Sequence, residues 1–128
     1  PLFSRWPMWS ELYIYTLIPE SGRVAYWTNL AALSAGAVLE LTPRVSLSYT
    51  FYHLTAPHAH DPSQSPPPFQ TGFFGEGTER GQSHQCKLAV TMGPVVSWHF
   101  LVERFVPGDF YLPQDDAYFL RWELMLVK

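Results

Sequence analysis

Apolar residues recur at every second position in segment after segment of this chain. Val45, Leu47, Tyr49, Phe51 and His53 alternate with Ser46, Ser48, Thr50 and Tyr52. Leu33, Ala35, Ala37, Leu39 and Leu41 alternate with Ser34, Gly36, Val38 and Glu40. Successive side chains of a strand point to opposite faces, so this period gives one apolar and one small or polar face. Further on, His84, Cys86, Leu88, Val90 and Met92 carry the same pattern, followed by Val96, Trp98, Phe100 and Val102 and by Tyr118, Leu120, Trp122, Leu124 and Leu126. Near the front, Leu12, Ile14, Thr16 and Ile18 repeat it. No helix-period stretch competes, so the chain reads as all-β with about six strands.

The connectors order these strands. Thr42-Pro43-Arg44 and Gly93-Pro94 are short turns, where proline and glycine interrupt a ladder. Residues 19–28, 55–82 and 106–116 read as longer loops, the second of them rich in proline and glycine. Short and long connectors alternate, as in an antiparallel up-and-down meander. Setting Leu41 opposite Val45 places Leu39 by Leu47 and Ala37 by Tyr49, and a slip of one residue would break that match.

Composition narrows the setting. Of the 128 residues 47% are hydrophobic and 16% aromatic, but only 15% are charged, below the ordinary quarter or so. Mean hydropathy is −0.05, so the apolar residues are diluted by polar ones, and no apolar run is long enough for a membrane helix. Alternating strands of about 9–11 residues are the remaining way to span a bilayer, with one face to lipid and one to the lumen. The expectation is therefore part of a transmembrane β-barrel in a bacterial outer membrane, with short periplasmic turns and longer outer loops. Its partners would be the lipid bilayer and further β-strands from missing sequence or other chains, since single-chain barrels begin at eight strands. The chain starts at Pro1 as though excised from something longer, and 1–128 reads as one barrel segment. A soluble or periplasmic ligand-binding barrel, or a structural β-subunit of a larger assembly, is the alternative.

The polar face supplies the candidates for a solute pathway: Glu11, Lys87, His99, Glu103, Arg121 and Glu123. A loop centred near Leu112 would set Glu103 about opposite Arg121, a structural ion pair or part of a constriction, with Glu123 close enough to share the guanidinium. His99 and Phe100 are expected to face opposite media. Trp6, Trp9, Tyr26, Trp27, Tyr49, Tyr118 and Trp122 read as an interfacial aromatic belt. Phe73, Phe74, Phe110 and Tyr111 are loop aromatics that could stack on carbohydrate. Nothing points to an enzyme, for no phosphate-cradling loop, nucleophile elbow or Ser/His/Asp arrangement is identifiable. No cofactor is expected. His58, His60 and Asp61 fall short of a metal-ligand set and read as exposed loop polarity. Cys86 stands alone, so no internal disulfide forms, and it reads as a small packing residue. The net charge of −3 with scattered basic residues excludes a nucleic-acid stripe.

Four segments carry a resemblance. Trp9-Ser10-Glu11-Leu12, Trp27-Thr28-Asn29-Leu30, Glu103-Arg104-Phe105-Val106-Pro107-Gly108-Asp109-Phe110-Tyr111 and Phe119-Leu120-Arg121-Trp122-Glu123-Leu124 resemble the C-terminal part of alginate-export-like outer-membrane barrel proteins. The resemblance implies a porin-like export or uptake channel for polysaccharide or small anionic solutes. That family's conduit is lined with basic residues, whereas the inferred lumen face here has only Lys87 and Arg121 beside Glu11, Glu40, Glu103 and Glu123.

Overall fold

The computed structural model describes residues 30–59, 74–112 and 115–126. Within them the two-residue period is realised as five strands: β1 (Ala31–Thr42), β2 (Val45–Thr55), β3 (Glu79–Thr91), β4 (Val96–Pro107) and β5 (Ala117–Leu126). They form one antiparallel sheet in the order β1-β2-β3-β4-β5, an up-and-down meander. The sheet is open, not a closed barrel. The strand expected over Leu12 to Ile18 and the loop at 19–28 lie outside the described residues, as do Glu11, Trp6, Trp9, Tyr26 and Trp27.

The short turns share one end of the sheet. Val45 of β2 pairs with Val90 of β3, and the Thr91 amide donates to the Arg44 carbonyl at 2.8 Å, tying the two turns together. The longer connectors lie at the other end, where Leu54 pairs with Gly81 and Phe105 with Ala117. Leu39 faces Leu47 and Ala37 faces Tyr49 as the hydropathy match requires. At the turn itself the pairing differs: Thr42, not Leu41, meets Val45, because the register shifts between Glu40 and Thr42.

Following the register across the sheet separates two faces. Leu39, Leu47, Leu88, Phe100 and Trp122 form one cross-strand row, and Ala37, Tyr49, Cys86, Val102 and Leu120 form the next. The opposite face carries Val38, Ser48, Lys87, Leu101 and Arg121 in one row and Glu40, Ser46, Ala89, His99 and Glu123 in another. Exposure runs against the usual order for a sheet in water. On the apolar face Leu120 and Trp122 are each 64% exposed, and Leu33, Leu39, Phe100, Leu124 and Leu126 are exposed with them. On the polar face His99 is 8% exposed and Glu103 fully buried.

The long loop expected over 55–82 ends earlier, because β3 starts at Glu79 and takes in Gly81 and Gln82. A β-bulge makes this possible. Leu54 pairs with Gly81 and the next residue, Thr55, with Glu79, so Arg80 is the extra residue on β3. Gly81 has φ +126°, and a Cβ there would run into the Val106 carbonyl oxygen. Gly81→Ala is therefore expected to lower stability by at least ~1–2 kcal/mol, the left-handed penalty alone. A denaturant titration of the folded protein measures it, and an unchanged midpoint would rule out the bulge as a fixed feature.

The dry core sits at the long-loop end of the polar face. Leu54, Ala56, Phe105, Phe110 and Tyr111 are buried together, with Leu30, Tyr52, Phe74, Ala117 and Phe119 packed against them. Leu54, Tyr52, Phe105, Ala117 and Phe119 all belong to the polar face by register, so the described loop bases pack on that face.

Candidate functional site

Two groups of side chains occupy the polar face. The first lies on its open part, where β4 and β5 pair His99 with Glu123 and Leu101 with Arg121. An Arg121 terminal nitrogen lies 3.3 Å from His99 Nε2. A guanidinium has no acceptor, so this contact is a hydrogen bond only in the tautomer whose Nε2 carries no proton. Glu123 Oε2 is 3.5 Å from both His99 Nε2 and Arg121 Nε, closing a triangle of one cation, one carboxylate and one imidazole. Lys87 stands exposed beyond Leu101 in the same row as Arg121, on β3. Of the expected pathway residues, then, Lys87, His99, Arg121 and Glu123 share one face on three neighbouring strands.

Glu103 is placed differently from the expectation. It pairs directly with Phe119, and Arg121 pairs with Leu101, so the two charged residues are diagonal neighbours and not opposite each other. The turn through Asp109 and Phe110 centres the β4–β5 pairing one residue earlier than Leu112, which displaces every pair by two and preserves the faces. Glu103 Oε1 accepts from the buried Ser83 hydroxyl at 3.1 Å, beneath the loop-covered end. A fully buried carboxylate does not line an open path. Its hydrogen bond from Ser83 offsets part of the cost of burying a polar group.

The second group was not legible in the sequence. Arg80, 1% exposed, lies at the bulge with its guanidinium carbon 4.3 Å from the Phe110 ring centre and donates to Tyr111 Oη at 2.9 Å. Phe110 and Tyr111 meet edge to face, and Phe74 and Phe105 add two further edge contacts. These aromatics are structural. With Phe110 and Tyr111 buried, neither offers a face to carbohydrate, and Phe73 lies outside the described residues.

On the apolar face the polar side chains gather toward the long-loop end. Tyr49 Oη and His84 Nδ1 are 2.8 Å apart. Arg104 donates through Nε and a terminal nitrogen to Asp116 Oδ2, and its guanidinium lies 6.0 Å from the Tyr118 ring centre. His53 Nδ1 is 3.2 Å from Glu79 Oε1. Of the residues assigned to an aromatic belt, Tyr118 stands at this rim, whereas Tyr49 and Trp122 lie nearer the middle of their strands. Cys86 is exposed in the apolar row between Tyr49 and Val102. Among the described residues no three His, Cys, Asp or Glu side chains come together as a metal site. Comparison of the chain with protein-family models, curated proteins and solved structures finds no match in any of the three.

Proposed function

We propose that this chain is a wall segment of an outer-membrane β-barrel channel, with its apolar face toward lipid and its polar face toward a water-filled passage. The observation that carries this reading is the inverted exposure of the sheet. Leu33, Leu39, Phe100, Leu120, Trp122, Leu124 and Leu126 are exposed on one face, while Lys87, His99, Glu103, Arg121, Glu123 and the loop-base aromatics occupy the other. Soluble proteins rarely expose so continuous an apolar surface, and lipid is a solvent in which it is favourable. Dimensions agree. At ~3.4 Å per residue the run from Tyr118 to Leu126 extends about 27 Å along the strand, and a tilt of about 40° brings it to about 21 Å, close to the ~25 Å apolar band of such barrels. The Arg104–Asp116 and His53–Glu79 pairs on that face then fall at one rim, at headgroup level.

The resemblance to alginate-export-like barrels supplies the type of channel, an export or uptake path. The described polar face, with Lys87 and Arg121 among Glu40, Glu123 and His99, is of mixed sign and suits polar solutes of low net charge better than a strongly anionic polymer. The test of the reading is solubility and folding state. The folded protein should need detergent or bilayer and show heat-modifiable gel mobility. A monodisperse species in plain buffer, with Trp122 shielded from water, would instead favour a soluble ligand-binding barrel.

Arg121 gives a second measurement. Arg121→Glu replaces the cation of the triangle with a carboxylate beside Glu123, and charges that line a pore set ion preference. The expected outcome is a reversal potential displaced toward cation selectivity in bilayers under a salt gradient. An unchanged potential would place Arg121 away from the conducting path.

A further inference from the structure

We infer that the two loop bases, 74–80 and 108–112, are a fixed constriction that sets the size limit for solutes at the long-loop end of the passage. The inference rests on the channel reading above. Three observations lead to it.

The first is position. Phe74, Phe110 and Tyr111 pack on Leu54, Phe105 and Phe119, which belong to the polar face, so the loop bases lie over the surface that would bound the passage. They cover one end only. Lys87 and Glu123, farther toward the short turns, stay exposed or half-buried.

The second is that the two loop bases bind each other. The Gly75 amide donates to the Phe110 carbonyl at 2.9 Å, the Phe110 amide to the Glu79 carbonyl at 2.9 Å and the Gly108 amide to the Arg80 carbonyl at 3.1 Å. Asp109 Oδ1 accepts from the Glu79 amide at 2.9 Å, and Phe74 and Tyr111 form a further β-bridge. A Cβ on Gly75 would collide with the Asp109 carbonyl oxygen, so the two backbones meet as closely as glycine allows.

The third is the buried cation. Arg80 reaches up from the β3 bulge, sits against the Phe110 ring and donates to Tyr111, pinning the cover to the strand beneath it. Hydrogen-bonded backbone, interlocked glycine and a buried clamp describe a rigid cover, so the limit it sets is a constant of the passage and not a gate.

The test uses the full protein assembled in planar bilayers and in liposomes. Gly75→Val should pry the loop bases apart while leaving the aromatic cluster intact in composition. It should raise unitary conductance and admit larger uncharged oligosaccharides in liposome swelling, with heat-modifiable mobility retained. A folded variant with the conductance and exclusion limit of the parent overturns the inference, leaving the loop bases as a brace for the strands. Should Gly75→Val fail to fold, Leu112→Cys in a Cys86→Ser background replaces it, because Leu112 is exposed on the loop base. A bulky thiol reagent there should depress conductance, and full modification without change overturns the inference equally. A parent protein that folds into bilayers but neither conducts nor passes sugars sinks the channel reading itself, an outcome distinct from an unchanged exclusion limit.

Discussion

Phe100→Arg is expected to cost about 2–4 kcal/mol of folding stability in membranes, the penalty for arginine at the lipid-facing midplane of a barrel. Phe100 lies in the row Leu47, Leu88, Phe100, Trp122, near the middle of β4 and in the centre of the apolar face. Its neighbour His99 points the other way, toward Arg121 and Glu123. His99→Gln keeps a polar group on the polar face and is expected to lose no more than about 1 kcal/mol, the net worth of one hydrogen bond. Folded fraction across a urea series, read by gel mobility without heating, compares the two. Equal damage from both substitutions would show that the two faces do not meet different media, and the lipid-facing assignment would fall. Equal damage at Leu120→Arg would not rescue it, since Leu120 shares the face of Phe100 by register.

Arg80→Met is the second substitution with a large expected effect. Methionine fills similar space but removes the donor to Tyr111 Oη and the cation beside the Phe110 ring. A buried hydrogen bond from a charged group contributes ~1.5–3 kcal/mol and a desolvated cation–π contact ~2 kcal/mol, so a loss of about 3–5 kcal/mol is expected. Arg80→Lys keeps the charge but not the planar fork, and should recover only part of that loss. Equilibrium denaturation of the three proteins gives the comparison. A loss below about 0.5 kcal/mol for Arg80→Met, the range of an ordinary surface substitution, would mean that aromatic packing alone holds the loop bases.

The faces were legible because period two leaves no freedom. Once Val45, Leu47, Tyr49 and Phe51 share a side, the pairing of Leu39 with Leu47 follows from hydropathy, and it is the pairing found. The same logic assigned His99, Arg121 and Glu123 to one face. What periodicity does not carry is the exact centre of a long connector. Glu103 and Arg121 were set opposite each other by a loop centre one residue too late, an error invisible to face assignment because it shifts register by two. The start of β3 was hidden for a different reason. Glu79, Arg80 and Gly81 have loop composition, and only the bulge, with Gly81 at positive φ, lets them continue the ladder. Glu103 looked like a lumen charge because alternation reports direction and not depth; its burial depends on Ser83 across β3 and on the loop bases above. Arg80 went unnoticed since its partners, Phe110 and Tyr111, lie about thirty residues away and nothing local announces them.

Strand direction carries a consequence for closure. Every neighbouring pair in the sheet is antiparallel, so β1 and β5 run the same way and the two outer edges have equal polarity. Bringing those edges together directly would make a parallel seam, and so would joining β5 to β1 of a second copy around a common axis. A cylinder of wholly antiparallel strands therefore requires an odd number of additional strands between β5 and β1. The rule holds for any barrel size, and it distinguishes assemblies: rings in which β5 of each copy meets β1 of the next are excluded, whereas one further strand per repeat, or three, restores the alternation.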